Sequence, residues 1–301
     1  MATGNLQGRQ RRTALLFVAP FVLLFLLVTV APIGYAVWMS LFHQRSSGGL
    51  GFGGGTTTEF SGIRNYTRAL SAGDFQHGFG HIALYCMIYI PVMILGALLI
   101  ALLLDSGLTR ARRTLQVVLF LPHAIPDLIA AIIWIYLYTP GLSPVVKWLD
   151  GAGLHWDFLS SDNAATSIVN ISVWQWIGYN MIIFYAALQA IPREVLEAAT
   201  ADGAGPVRTA VSVKVPMIRS AVVLTTLFTV IGSIQVFTQP QALAAKSAGM
   251  GSSWSPTMYI YNAAFAQHDY GLAAAASIVL TVVLAALSYV VTRIGGGRRP
   301  A

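Results

Sequence analysis

The chain has 301 residues, of which 56% are hydrophobic and 10% are charged, whereas a soluble domain usually has about 25% charged residues. This composition argues against an ordinary soluble protein and predicts an integral membrane protein. The net charge of +7 comes from basic residues dispersed among apolar runs, a pattern that does not indicate nucleic-acid binding. Cys86 is the single cysteine, which excludes an intramolecular disulfide and a cysteine zinc cluster.

Six apolar runs are long enough to cross a bilayer, which takes about 20 residues. Because a helix satisfies its own backbone in hydrocarbon, each run predicts a transmembrane helix. The predicted spans are 14–41, 82–104, 115–138, 167–191, 218–237 and 272–292. They form one transmembrane domain over 14–294, between end segments at 1–13 and 295–301. A cleaved signal peptide is the alternative for the first run, but that run is too long for a signal core.

The long segment between the first two spans, 42–81, has two different halves. Its first half reads SSGGLGFGGGTTT, and this glycine-rich composition predicts a flexible linker. Its second half contains GIRNYTRAL, which predicts a short surface helix.

The third predicted span contains the only acidic residue that lies deep in an apolar run. Asp127 follows His123 by one helical turn, and Pro122 and Pro126 flank them. An ionisable residue at that depth suggests a function, and such a pair suits a proton relay. In the favoured interpretation, Asp127 faces a partner helix or a watery cavity and satisfies the backbone that the prolines free. Each proline removes a helical hydrogen bond and kinks the span.

The basic residues predict the orientation of the spans. With the N-terminus inside the cell, thirteen of the eighteen lysines and arginines lie in inner segments and five in outer ones. This distribution predicts a multi-pass protein with both termini in the cytoplasm. The polar segment 192–217 is then a cytoplasmic loop.

That loop has no net charge: Arg193, Arg208 and Lys214 are balanced by Glu194, Glu197 and Asp202. A helix that merely lies on an anionic membrane is usually rich in lysine and arginine. Balanced charge therefore favours docking to another protein over an interfacial amphipathic helix. Asp202-Gly203 breaks the helix and Pro206 suits the first turn of the next one. The loop predicts a helix, a tight turn and a second helix.

The sequence carries no pattern for an energy-yielding reaction of its own. A phosphate-binding P-loop needs a Gly-Lys pair, and none of Lys147, Lys214 and Lys246 follows a glycine. The six histidines are scattered, and neither HExxH nor GxSxG occurs. These absences predict no catalytic residue, no metal site, no bound cofactor and no enzyme activity.

The loop resembles the EAA loop of ABC importer permeases. The resemblance rests on Glu197-Ala198-Ala199, Asp202-Gly203-Ala204, Val213 and Val215-Pro216, at matching spacing without a gap. It extends over nearly the whole chain, through four further signatures: Leu121-Pro122 with Pro126, Trp176-Ile177-Gly178-Tyr179, Gly62-Ile63 with Asn65-Tyr66, and Tyr270-Gly271-Leu272-Ala273. The most similar group is that of MalF-like permeases for oligosaccharides and related solutes, including the glycerol-phosphate type.

This resemblance implies an all-α, six-span permease of the type I importer fold in the bacterial cytoplasmic (inner) membrane. It implies half of a translocation pore for a sugar or sugar-like solute. An extracytoplasmic solute-binding protein delivers the solute, and a second permease subunit, usually a different chain, completes the pore. ATP and Mg²⁺ bind a separate ABC ATPase dimer. The implied coupling residues, which dock on that ATPase, are Glu197, Ala198, Ala199, Asp202, Gly203 and Ala204.

The fifth span carries a polar stripe at helical spacing: Thr225, Thr229, Gly232, Ser233 and Gln239. Such a stripe suits either a pore lining or a seam between packed helices. By resemblance, aligned without gaps from Pro216, the sugar-contact positions of the maltose permease fall at Thr229, Gly232, Ser233 and Val236. On the preceding span they fall at Trp176, Ile177, Gly178 and Met181. Gly232, Val236 and Met181 replace an aromatic, an amide and an aromatic, which is a departure from a maltose site.

Two alternatives compete with the importer permease. One is a proton-coupled secondary transporter that uses His123 and Asp127, and the other is a membrane-anchored scaffold. The EAA loop favours the importer, because a symporter needs no dock for an ATPase. Asn180 and Gln235 lie close to the implied solute positions, but sequence spacing does not show whether they or Asp127 face the pore.

Overall fold

A computed structural model describes residues 15–46, 56–106, 111–247 and 249–296. The predicted end segment 1–13, most of the tail after 295 and most of the glycine-rich linker lie outside these ranges. In chain order the elements are α1 (Leu15–Ser40), β1 (Phe42–Ser46), β2 (Thr56–Phe60), α2 (Arg64–Ser71), α3 (Gly73–Asp105), α4 (Arg112–Phe120), α5 (Asp127–Tyr138), α6 (Pro144–Gly151), α7 (Ala164–Gln189), α8 (Arg193–Ala201), α9 (206–217), α10 (Arg219–Ile234), α11 (Thr238–Ala244), α12 (Pro256–Tyr261) and α13 (Tyr270–Gly296).

The prediction of a six-span helical membrane protein is confirmed. Five helical segments are long and apolar enough to cross a membrane: α1, α3, α7, α13 and Arg219–Ala244, which combines α10 and α11. The bent pair Arg112–Ala124 and Asp127–Tyr138 supplies a sixth span. Helix α3 has 33 residues, about 50 Å at 1.5 Å per residue. It is therefore longer than the hydrocarbon core of a bilayer, which is about 30 Å thick.

The chain divides into two compact units, Met1–Ser71 with Ala263–Val279 and Ala72–Asn262 with Leu280–Ala301. In the first unit β1 and β2 form an antiparallel pair whose register joins Phe42 to Phe60 and Ser46 to Thr56. This hairpin is not predicted from the sequence. Its second strand begins with Thr56-Thr57-Thr58, and β-branched residues suit a pleated strand. Helix α2 forms within the GIRNYTRAL stretch, where a short helix was expected.

Asn65 holds the turn after α1 in the first unit. Its side chain has no exposed surface, and its amide donates to the carbonyl oxygens of Ser40 at 2.9 Å and Phe42 at 2.8 Å. Gly271 lies against the same turn: a Cβ at that position would be 2.1 Å from the Phe42 oxygen. Both residues belong to signatures that the sequence analysis singled out, and here each is a packing residue.

The second unit contains the main core, which α3, α7 and α10 build. The largest fully buried side chains on α3 and α7 include Tyr85, Met93, Ile168, Met181 and Phe184. Gly178 on α7 sets the approach of α4, because a Cβ there would lie 1.9 Å from the Leu119 carbonyl oxygen. Only glycine permits this contact between a helix and a neighbouring backbone.

The third span is broken rather than merely kinked, which differs from the single predicted run over 115–138. Its two halves meet at 98°. Ile125 adopts an extended backbone with ψ of 130°, the conformation that a following proline favours. Irregular backbone at membrane depth needs a protein or water partner. Gln175 supplies it: its amide, from a side chain that is 1% exposed, donates to the Ile125 oxygen at 2.9 Å.

Candidate functional site

The second unit encloses a cavity of about 260 Å³ among α3, α7, α10, α11 and the start of α5. Six aromatic side chains line it: Tyr85, Tyr89, Trp176, Tyr179, Phe228 and Phe237. Eight side chains with hydrogen-bonding groups also line it: Asp127, Ser172, Asn180, Thr229, Ser233, Gln235, Thr238 and Gln239. Mixed aromatic and polar walls are typical of sites that bind a polyhydroxylated solute.

The aromatic wall on α3 is rigid. Tyr85 and Tyr89 lie one helical turn apart, and their rings stack with centroids 5.0 Å apart and planes at 12°. The Tyr85 hydroxyl donates to the Ser172 oxygen on α7 at 3.0 Å. Ring stacking and this hydrogen bond fix the Tyr85 side chain before any solute binds. This wall is not predicted from the sequence, although two tyrosines at i and i+4 in an apolar run are a visible signal.

The polar stripe on α10 reaches the cavity. Thr229, Gly232 and Ser233 line it, and Val236 follows just beyond the helix end. Ser233 also belongs to a helix contact, since the Cys86 thiol of α3 donates to its oxygen at 3.2 Å. Of the stripe, Thr229, Gly232, Ser233 and Gln239 line the cavity, Thr225 does not, and Ser233 also packs against α3. Whether the stripe lines a pore stays a prediction.

Of the four solute residues expected on α7, one lines the cavity and three do not. Trp176 lines the cavity, whereas Ile177, Gly178 and Met181 are not in its lining. Ile177 packs against Gly96 of α3, Gly178 meets the α4 backbone, and Met181 is fully buried in the core. The reason is geometric: four residues within two turns of one helix cannot all point to the same side.

Three polar residues whose direction the sequence did not show are in the cavity wall: Asp127, Asn180 and Gln235. Asp127 Oδ1 accepts a hydrogen bond from the Gln175 amide at 2.7 Å. The same amide satisfies Ile125, so Gln175, and not Asp127, satisfies the backbone that the prolines free. No hydrogen bond joins Asp127 to His123 within the described ranges. The His123 ring instead contacts Trp176 and Tyr179, at centroid distances of 4.5 and 4.7 Å.

The predicted coupling loop forms the expected helix, turn and helix. Helix α8 ends in a Schellman motif: the Gly203 amide donates to Thr200 O and the Ala204 amide donates to Ala199 O, both at 3.0 Å. Gly203 has a φ of +75°, a conformation that glycine adopts without steric cost. The Asp202-Gly203-Ala204 sequence is thus the stop signal that fixes the length and exit angle of α8.

One face of α8 is open. A shallow groove on it is lined by Arg193, Leu196, Glu197 and Thr200, whose spacing of three, four and seven residues places them on the same side of the helix. Glu197, Ala198, Asp202 and Gly203 are exposed, and Ala199 and Ala204 are half-buried. The surface has both charges and small residues, and a second protein can approach it closely.

The loop is attached to the transmembrane helices by a charged cluster. Lys214 Nζ lies 2.5 Å from Asp105 Oδ2 at the end of α3. The Gln189 amide at the end of α7 donates to the other Asp105 oxygen at 2.6 Å. The Lys214 and Asp105 side chains are 17% and 10% exposed. Asp105 therefore joins the second helix of the loop to the two main core helices.

Comparison with known proteins identifies the family. The model of the family described as "Binding-protein-dependent transport system inner membrane component" matches residues 83–296. The chain belongs to this family. It is a multi-pass permease subunit of a binding-protein-dependent ABC importer, it is not itself an enzyme, and the proton-coupled alternative is not supported.

Relatives match over the full length of the permease. The sn-glycerol-3-phosphate transport system permease protein UgpA of Escherichia coli O6:K15:H31 is 31% identical, over 96% of this chain and 96% of the relative. UgpA of Pectobacterium atrosepticum is 30% identical, over 91% of this chain and 90% of the relative. Matches that cover 91–96% of the chain are long enough to include most of both the cavity and the loop.

Solved structures share the fold. A chain in the crystal structure of a bacterial alginate ABC transporter in complex with alginate pentasaccharide-bound periplasmic protein superposes with a TM-score of 0.79 at 18% identity, over 96% of both chains. A chain of the MetNI methionine ABC transporter superposes with a TM-score of 0.54 at 16% identity, over 75% of this chain. The type I importer permease fold that the resemblance implied is confirmed.

Proposed function

We propose that this permease forms half of a pore for a carbohydrate or sugar-like solute in the bacterial cytoplasmic (inner) membrane. The observation that carries the proposal is the cavity, in which six aromatic rings face eight hydrogen-bonding side chains. Sugars present apolar ring faces and hydroxyl groups, which need both kinds of wall. Trp176, Thr229, Gly232, Ser233 and Val236 are the expected solute residues that lie in this lining. Ile177, Gly178 and Met181 support the walls from behind.

The energy for transport comes from a separate ATPase dimer, which holds ATP and Mg²⁺. The open face of α8, with Glu197 at its centre and the Asp202-Gly203-Ala204 turn at its end, docks on that dimer. Ala198 and Ala199 allow a close approach. Asp105 passes the movement of the loop to α3 and α7. In this proposal both termini of the chain lie in the cytoplasm, as the distribution of basic residues predicts.

Two further subunits complete the importer. A second permease, encoded as a different chain, closes the other half of the pore. An extracytoplasmic solute-binding protein delivers the solute. The support for these partners is the family to which the chain belongs, together with relatives whose names describe transport systems rather than single proteins.

The proposal is tested by uptake into proteoliposomes that contain the complete importer and its binding protein. Labelled mono- and disaccharides are added on the side of the binding protein. ATP is supplied on the opposite side of the membrane, where the ATPase subunits lie. We expect uptake to persist with a protonophore and to stop when the ATPase subunit carries an inactive Walker lysine variant. Uptake that stops with the protonophore and continues without ATP hydrolysis would refute the proposal.

A Glu197→Lys variant of this chain tests the docking face. We expect it to insert normally but to lose most uptake while ATP hydrolysis by the complex becomes independent of the binding protein. Arg208→Glu is the matched control. Arg208 is exposed on the second helix of the loop, and its substitution reverses a charge outside the groove. Normal uptake by Glu197→Lys would exclude this face as the dock.

A further inference from the structure

The charge of the cavity wall discriminates among solutes. Its lining contains one carboxylate, that of Asp127, and no lysine, arginine or histidine side chain among the described residues. Asp127 forms no ion pair within those residues. A solute that enters this half of the pore therefore meets a negative charge with no compensating lysine or arginine in the described cavity wall.

Neutral neighbours hold the carboxylate in place. Asp127 Oδ1 accepts from the Gln175 amide at 2.7 Å, and Gln239 donates to the Gln175 carbonyl oxygen at 3.4 Å. Gln175 and Gln239 are 1% and 4% exposed, so the amides are fixed in orientation. They orient Asp127 without neutralising it. Asp127 Oδ2 has no protein partner in the described part of the chain and remains an acceptor for the solute.

The positive end of α5 does not reverse this sign. Asp127 lies in the first turn of α5, where a helix dipole corresponds to about half a positive charge. A full negative charge at the same place outweighs it. An anionic solute group placed beside Asp127 would also lose its hydration shell in a small aromatic cavity, which strengthens the repulsion.

We infer that this cavity accepts neutral or amine-bearing polyhydroxylated solutes and excludes those that carry a phosphate or carboxylate group. Asp127 is the specificity-determining residue, and its Oδ2 accepts a hydrogen bond from a solute hydroxyl or ammonium group. The inference rests on the proposed function and narrows its substrate class. It also separates this chain from its relatives named for sn-glycerol-3-phosphate, whose solute is an anion.

The test is uptake by the complete importer in proteoliposomes, with probes that share a skeleton and differ in charge. The probes are glucose, glucosamine, glucose 6-phosphate and glucuronate, with maltose and maltobionate as the larger pair. We expect uptake only of members that are neutral or carry an amine. For those members Asp127→Asn should raise the KM about tenfold or more, the scale of a lost hydrogen bond to a charged group. In the same variant, the ratio of the uptake rate of each neutral probe to that of its anionic partner should fall.

Asp74→Asn is the matched control. Asp74 is also the acidic residue in the first turn of a long helix, α3, but it is exposed and lies outside the cavity. The Asp74→Asn substitution removes the same charge and the same helix-dipole interaction at a place that the solute does not contact. The uptake profile of this variant should therefore equal that of the unmodified importer.

Several outcomes would overturn the inference. These are uptake of an anionic member as fast as its neutral partner, uptake of no neutral or amine-bearing member, and an Asp127→Asn profile equal to that of Asp74→Asn. Anion uptake that still requires ATP hydrolysis would overturn this inference and leave the importer function intact. Sugar uptake that no longer needs ATP hydrolysis would instead refute the proposed function.

Discussion

At the scale of single residues, glycines and amides decide how closely the helices approach. Gly178 lies against the α4 backbone and Gly271 against the Phe42 carbonyl. Asn65 and Gln175 satisfy carbonyl groups that a turn and a broken span leave free. In hydrocarbon an unsatisfied carbonyl costs several kcal/mol, so Gln175 at the broken span is as important for folding as a large apolar side chain.

The first residue-scale prediction concerns Gly178. A Cβ there would lie 1.9 Å from the Leu119 oxygen, which is backbone and cannot rotate away. We expect Gly178→Ala to separate α4 from α7 and to lower stability by about 1–3 kcal/mol, the usual cost of overpacking. Thermal unfolding of the purified complex measures the effect. Gly80→Ala is the control, since a Cβ at Gly80 meets nothing within 4 Å. Equal stability of the two variants would contradict the prediction.

Trp176 gives the second residue-scale prediction. Its ring lines the cavity and its other side packs on His123, with centroids 4.5 Å apart. We expect Trp176→Ala to lower kcat/KM for uptake roughly tenfold, because the apolar face for a sugar ring is lost. Trp148→Ala serves as the control, as Trp148 is 72% exposed on α6. Unchanged uptake by Trp176→Ala would remove this residue from the solute site.

At the scale of elements, the predicted coupling loop and the broken span each show how a local sequence signal sets the direction in which the chain leaves a helix. The Schellman motif ends α8 at a fixed angle because Gly203 adopts a left-handed backbone. Pro122 and Pro126 break the third span because each lacks a backbone donor and the second forces Ile125 to be extended. The break brings Asp127 to the cavity, where a continuous helix would carry it elsewhere.

Gly203→Ala tests the turn after α8. A non-glycine residue at a φ of +75° costs roughly 1–2 kcal/mol, so we expect the end of α8 to unwind and coupling to weaken. The measurement is the ratio of solute uptake to ATP hydrolysis in the reconstituted importer. Gly205→Ala is matched to it, because Gly205 has a φ of −70° and free space around it. If both variants keep the same ratio, the turn does not contribute to coupling.

The Asp105–Lys214 pair tests the attachment of the loop. Lys214→Met leaves Asp105 largely buried without its cation, and we expect a loss of about 3 kcal/mol, as for other broken buried pairs. The double variant Asp105→Leu with Lys214→Met should recover most of that stability, because neither charge is then left alone. Denaturation midpoints of Lys214→Met, of Asp105→Leu alone and of the double variant measure the coupling. Additive losses would mean that the two residues act independently.

At the scale of the whole molecule, α1 differs from the other spans. The most apolar 18-residue window of α1 has no buried residue, whereas the corresponding windows of α3, α7, α13 and the combined α10 and α11 are 22–44% buried. Side chains such as Phe17 and Leu16 are 83% and 74% exposed. Such an apolar surface is stable in contact with lipid or with another membrane subunit.

Membrane orientation gives the whole-molecule prediction. The distribution of basic residues predicts that the proposed coupling loop lies inside the cell and the segment after α6 outside. In a Cys86→Ser background, we expect Ala201→Cys to react with a membrane-impermeant maleimide only after the cells are permeabilised. Asp162→Cys should react in intact cells. Both positions are exposed in the chain, so a reversed labelling pattern would show the opposite orientation.

The sequence by itself determined the membrane class, the number of spans, the family, and the succession of helix, tight turn and second helix in the predicted coupling loop. These properties depend on local composition, on prolines and glycines at defined places and on a motif with fixed spacing. The sequence also predicted that Trp176 and the α10 stripe are solute-contact positions, because helical spacing and family resemblance agree there. Whether these residues contact a solute stays a prediction.

Only the tertiary structure decided which polar groups share the cavity. Tyr85 and Asp127 are separated by 42 positions and Asp127 and Gln239 by 112 positions in the chain, and no local pattern relates them. Their meeting depends on the approach of α7 to α4 at Gly178 and on the 98° break of the third span. The direction of a side chain within the membrane is set by such packing, because the contacts that decide it join segments far apart in the chain.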